Sequence, residues 1–121
     1  MRRAARLSDR RGRRAETIAV LWLRLFGWNI LERRLRTPGI EIDIIARRGD
    51  VIAFVEVKYR PTIAQALTAI TPDALRRLRL AVGQVGPRYA VRSNRPATIR
   101  LDLLALAPFS FPRHVANIGM L

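Results

Sequence analysis

Two runs of residues, EIDIIA at 41–46 and VIAFVEVKY at 51–59, set the tightest limit on how this chain folds. Both are rich in β-branched and aromatic residues, which suit a pleated, half-buried surface. RRGD at 47–50 separates them and contains Gly49, so the pair predicts a β-hairpin closed by a four-residue turn. With that turn, Ala46 stands opposite Val51, Glu41 opposite Glu56 and Asp43 opposite Phe54. Opposed residues share a sheet face, as do positions two apart along a strand. Glu41, Asp43, Glu56 and Lys58 therefore project together, and Ile42, Ile44, Val55 and Val57 project from the other face. A slip of one residue would carry Asp43 to the opposite face.

Three carboxylates on one face repel, and Glu56 and Lys58 lie in an otherwise apolar strand, where burial penalises charge. A divalent cation would resolve the conflict. Oxygen ligands in a chain without cysteine point to Mg²⁺ or Mn²⁺ rather than zinc. In that reading Asp43 and Glu56 coordinate the ion, the Val57 carbonyl adds a backbone ligand, and Lys58 reaches the attacking water or a scissile phosphate. The chain holds 23 basic residues, and Lys58 is the only lysine among them. A guanidinium is bulkier and essentially never deprotonates, so arginine could not replace a compact ammonium there. The plainer alternative is a solvated face on which Lys58 pairs with Glu41 or Glu56. Glu16 also has two readings. Helical spacing aligns it with Ala19, Val20 and Leu23, where it could reach the carboxylates as a further metal-side ligand; it could equally be a first-turn glutamate favoured by the helix dipole.

The rest of the chain predicts a single α/β layer with a mixed sheet whose early strands are antiparallel. Residues 1–12 read as a mobile basic arm, with one domain over 13–121. The periodicity predicts a helix from Arg13 to Phe26 ended by Gly27, a strand over 29–36 and a turn at 37–39. After the hairpin come a helix over 63–70 and a second one started by Thr71 and Pro72. Leu75, Leu78 and Val82 form its apolar stripe, and Gly83 with Gly86-Pro87 close it. Tyr89–Arg92 reads as a short strand, 98–107 as the last strand, and the tail shows no period. His114 reads as a surface or packing residue, and Trp22 and Trp28 as core rather than base-stacking platforms.

The formal net charge is +14 on 121 residues, and a polyanion is the obvious partner. Apolar runs are too short to span a membrane, no signal peptide is evident, and the default location is the cytosol.

At EID followed after twelve residues by EVK, the chain resembles the D…E-x-K core of the PD-(D/E)XK nuclease superfamily. More closely it resembles the YraN family of small bacterial proteins, described as Holliday-junction-resolvase-like. GRRAE at 12–16, EIDIIARRGDVIAFVEVKYR at 41–60 and RLD at 100–102 carry the likeness. The family's usual glycine before EID is Ile40 here, its lysine on the following helix is Arg76 or Arg77, and its R-F-D is R-L-D, which keeps Asp102. The resemblance implies a restriction-endonuclease-like α/β fold, a mixed central sheet flanked by helices. It also implies a metal site at Asp43, Glu56 and Lys58 and a helix glutamate at Glu16. The expected activity is Mg²⁺-dependent hydrolysis of DNA, branched or otherwise structured, with help from Glu41 or Glu16. Arg13, Arg14, Arg47, Arg48, Arg60, Arg76 and Arg77 would hold phosphates, and symmetric cutting of a junction would want a two-fold dimer. The alternative is a nucleic-acid-binding protein that keeps the scaffold without cutting.

Overall fold

The computed structural model describes residues 2–119, with side chains from Gly12 onward. The first helix, α1 (Arg2–Leu25), begins well before Arg13, so the segment expected as a mobile arm continues the helix backbone. Its alanines, arginines and Leu7 are strong helix formers with no proline among them. Gly27, at φ 86°, closes the helix in the expected left-handed conformation.

The strands β1 (Asn29–Arg36), β2 (Glu41–Arg48) and β3 (Val51–Tyr59) follow, then α2 (Ile63–Leu67), α3 (Pro72–Arg92), β4 (Thr98–Leu106) and β5 (Arg113–Val115). The sheet order is β1-β2-β3-β4-β5, antiparallel throughout except for the parallel pair β3–β4. One sheet face is covered by α1, through Ala19, Val20 and Leu23 against Ile44, Ala46, Val55 and Leu104. The other is covered by α3, through Leu78, Ala81, Val85 and Tyr89 against Ile45, Ile52 and Phe54. With helices on both faces, β4 is buried from Leu101 to Leu106 and reads as a continuous apolar run broken only by Asp102. This single-domain, five-strand mixed sheet flanked by helices is consistent with a restriction-endonuclease-like fold.

Several expected details are corrected. Arg48 pairs with Val51, so the hairpin turn has two residues, Gly49 and Asp50, rather than four. Gly49, at φ 59°, supplies the left-handed backbone that such a tight turn needs. Phe54 consequently pairs with Ile45 and not with Asp43, a register offset of two residues from the expected one. An even offset leaves the side-chain faces in place wherever the two strands are paired, from Ile44–Val55 to Arg48–Val51. Tyr89–Arg92 is helix rather than strand, because α3 runs through both Gly83 and Pro87. Pro87 lacks the N–H that would reach the Gly83 carbonyl, yet the apolar face on either side of it holds the helix together. At Gly86 a Cβ would stand 3.0 Å from Ile99 Cγ2, so glycine lets α3 lie close against β4. The short β5 lies in the tail where no period was visible, and α2 is shorter than the expected 63–70.

If α3 is continuous, its two interior breakers are liabilities. Gly83→Ala, at an exposed site with open space around the new methyl, should add about 1 kcal/mol of stability, and Pro87→Ala about 1–3 kcal/mol. Urea unfolding would check this. No gain from either substitution would mean that the helix ends near Gly86.

Candidate functional site

The site arises where the sheet opens. Pairing between β2 and β3 is regular only as far as Ile44–Val55. Beyond that point β2 stays with β1 as far as Glu41, while β3 stays with β4 as far as Tyr59. In the opening, the Val57 N–H donates to Asp43 Oδ2 at 2.8 Å, a side-chain carboxylate standing where a ladder carbonyl would otherwise be. Strict alternation breaks at the same place. Ile44, Val55 and Val57 face α1 as expected, but Ile42 packs on the opposite side with Phe54.

Glu56 is buried next to Asp43, and Lys58 Nζ lies 3.3 Å from Glu56 Oε1. The opposite oxygen, Oε2, is buried and has no hydrogen-bond partner among the described residues. Burial, reinforced by the Asp43 charge, pushes the Glu56 carboxyl up to about 8, and Lys58 only partly opposes this. Burial also raises Asp43, against the Val57 N–H, Glu56 and Lys58, which lower it. The neighbouring Asp43 charge is thus part of what keeps the proton on Glu56.

Glu16 lines the same cavity, but both its oxygens are engaged. Arg33 Nε lies 2.9 Å from Oε1 and Arg34 Nε 2.6 Å from Oε2. Adjacent strand residues normally point to opposite faces. Here Arg34 has a left-handed backbone, φ 55°, and β1 carries an irregularity between Ile30 and Glu32. Because α1 starts at Arg2, Glu16 is not in the first turn of its helix, which removes the dipole reading. Glu41 is half-exposed at the cavity rim and sits 3.8 Å from Arg36. Among the described residues, no three acidic, histidine or cysteine side chains come together as a ready ligand set. The structure joins Asp43 and Glu56 and holds Glu16 and Glu41 nearby with arginine partners.

The cavity in front of these groups has a volume of about 1410 Å³. Of the arginines expected to hold phosphates, Arg13, Arg14 and Arg60 line it, together with Arg34 and Arg36, which spacing alone did not single out. The remaining arginines lie elsewhere. Arg47 donates to the Gly49 carbonyl and to Ser93, and Arg48 donates to the Phe26 carbonyl while stacking on Trp28 at 4.5 Å. Arg76 and Arg77 both bind Asp73 on the exposed side of α3.

Asp102 is fully buried outside this cavity and every part of it is compensated. Arg100 grips it with two bonds of 2.8 Å, His114 Nε2 lies 2.7 Å from Oδ2, and the Asn117 N–H donates at 2.9 Å. Burial alone would raise its carboxyl, but His114, Arg100 and Asn117 outweigh burial and hold it at about 2. His114 thus has the packing role expected for it, seated between Asp102 and the Trp28 ring at 5.8 Å.

The model of the uncharacterised protein family UPF0102 matches residues 15–106 of this chain. The chain belongs to that family. A UPF0102 protein of Sphingopyxis alaskensis is 47% identical over 119 residues, covering 98% of this chain and 97% of its own length. One from Erythrobacter litoralis is 45% identical over 92% of this chain and 93% of its own, and one from Caulobacter vibrioides 50% over 88% and 83%. UPF0102 is thus the family to which the YraN resemblance pointed, and its matched segment contains Glu16, Asp43, Glu56, Lys58 and Asp102. Among the described residues, no helix is long and apolar enough to cross a membrane.

The raised Glu56 carboxyl makes stability depend on pH. A carboxyl that binds its proton more tightly folded than unfolded stabilises the fold at low pH, and that stability drains away as pH rises from about 4.5 to about 8. Glu56→Gln, whose amide can donate to Asp43 at any pH, should melt about 4 °C or more above wild type at pH 9 without divalent cations, and the gap should close by pH 5. A constant gap between the two proteins across that range would rule out the raised Glu56 carboxyl.

Proposed function

We propose that this chain is a metal-dependent endonuclease that hydrolyses phosphodiester bonds in DNA, with branched or otherwise structured DNA as its substrate. The observation that carries the reading is the adjacent carboxyl pair, Asp43 and Glu56, with Glu56 Oε2 left without a hydrogen-bond partner among the described residues, beside the sole lysine, where the sheet opens onto a basic cavity. A structural role would favour compensation of the kind Asp102 has. Perturbed carboxyl groups lining a cleft instead mark a site built for a ligand.

The residues fit a hard divalent cation. The unpartnered Glu56 Oε2 and the adjacent Asp43 carboxylate offer oxygen donors that repel one another without one. Asp43 and Glu56 would hold Mg²⁺ or Mn²⁺, with Glu41 freer to turn inward than the doubly engaged Glu16. When bound, such an ion supplies activation of water and neutralisation of charge on the phosphate. The chain's own residues do the rest. The Val57 N–H fixes the Asp43 carboxylate. Lys58 Nζ, only partly exposed, turns from Glu56 Oε1 to a non-bridging phosphate oxygen and stabilises charge as it develops there. Arg13, Arg14 and Arg60 grip the flanking phosphates without reading bases. Arg47, Arg48, Arg76 and Arg77 lie outside the cavity and would meet only DNA that extends past it. Symmetric cutting of a four-way junction would require two copies related by a two-fold axis.

The test offers linear duplex, single-stranded DNA and a four-way junction to the purified protein with Mg²⁺ or Mn²⁺. Wild type should cleave, and Asp43→Ala should lose at least 100-fold in rate, the scale of removing a principal electrostatic element. Lys58→Arg should fall comparably, since a fork-shaped guanidinium moves the charge. Binding without cleavage of every substrate would favour the non-cutting scaffold.

A further inference from the structure

Two phenylalanines remain unexplained by folding. The turn PFSFP at 108–112 leaves β4 at the cavity rim, where the Arg60 N–H bonds the Leu106 carbonyl at 3.1 Å and Pro108 itself lines the cavity. Phe109 is fully exposed and has φ 56°, a left-handed backbone that a bulky residue rarely adopts. Phe111 is 86% exposed and leans toward Trp22, ring centres 6.4 Å apart. A solvent-facing aromatic ring gains nothing from burial, and the left-handed backbone costs more for phenylalanine than for glycine. Both penalties fall on one residue beside the candidate site, and such outliers point to function.

We propose that Phe109 stacks on an unpaired nucleobase next to the phosphate held in the cavity, and so favours branched or distorted DNA over regular duplex. The inference rests on the nucleic-acid reading above. Charge selects this partner over a second copy of the chain. Among the described residues, six basic and three acidic ones line the cavity beside the turn, and the whole chain carries +14, so two copies repel while a polyanion is drawn in. A ring next to cations matches the two halves of a nucleotide, base and phosphate. Stacking tolerates any base but needs its face uncovered, which paired duplex does not allow. Phe111, braced against Trp22, backs the turn.

The test measures binding of the full chain in EDTA, where no cleavage occurs, to a four-way junction with 2-aminopurine at the branch point and to linear duplex of equal length. Phe109→Ala should weaken junction binding about five- to 150-fold, the loss expected from one stacked base, while duplex binding is unchanged. It should also abolish the change in 2-aminopurine fluorescence, and Phe109→Trp should retain both. Phe109→Gly, which suits the left-handed backbone, should melt no lower than wild type yet lose the preference. An unchanged junction-to-duplex ratio in Phe109→Ala would overturn the inference and leave the nuclease reading standing. A lower melting temperature for Phe109→Gly with that ratio unchanged would show a folding role instead. A dimer in sedimentation that Phe109→Ala dissolves, again with the ratio unchanged, would assign the ring to self-association. If wild type binds neither substrate, the nucleic-acid reading itself falls, and this inference with it.

Discussion

One hydrogen bond organises the site: the Val57 N–H donates to the Asp43 carboxylate at the point where β2 leaves β3. In an unbroken hairpin that donor would be met by a backbone carbonyl, and the sheet would close over the gap. Here a side chain meets it, so the backbone group is satisfied and the two strands are free to follow different neighbours. The opening leaves Asp43 and Lys58 lining a cavity, with Glu56 buried beside them, while the rest of the hairpin stays buried between α1 and α3. Glu16, clamped by Arg33 and Arg34, ties α1 to β1 along the rim and keeps the mouth in shape.

The two buried acids of the strand pair β3–β4 show how differently one sheet can treat a carboxyl group. Asp102 on β4 receives an arginine fork, a histidine and a backbone N–H, and its carboxyl is held at about 2. Glu56 on β3 receives one lysine and a second acid, and its carboxyl rises to about 8. Burial acts upward on both; the partners decide the outcome. Asp102 anchors the tail through His114 and Asn117, whereas Glu56 keeps one buried oxygen without a hydrogen-bond partner among the described residues.

Much of this was readable from residue order because it depends on local rules. Gly27, Thr71 with Pro72, and the β-branched runs mark element ends and types by their own chemistry, and the strands at 29–36 and 51–59 fall where expected. The meeting of Asp43, Glu56 and Lys58 survived a wrong turn length because an offset of two residues preserves the pleat as far as Ile44–Val55, and beyond it the Val57 N–H holds the Asp43 carboxylate against β3. What spacing could not supply depends on tertiary contact. Pro87 and Gly83 look like a helix end until Val85 and Tyr89 are seen packed against the sheet. Arg33 and Arg34 converge on Glu16 only because Arg34 adopts a left-handed backbone. Ile42 changes sides because the β2–β3 ladder ends beside it, an event with no signature in a single strand.

We propose that a hard cation bound in the opened sheet displaces the proton that Glu56 holds beside Asp43. Calorimetric titration of Mn²⁺ into the metal-free protein at about pH 7, in two buffers of different ionisation heat, tests it most directly. Saturable binding that releases close to one proton is expected, seen as a buffer-dependent heat, because Glu56 must ionise to become a ligand. Binding with the same heat in both buffers, or no binding at all, would contradict it.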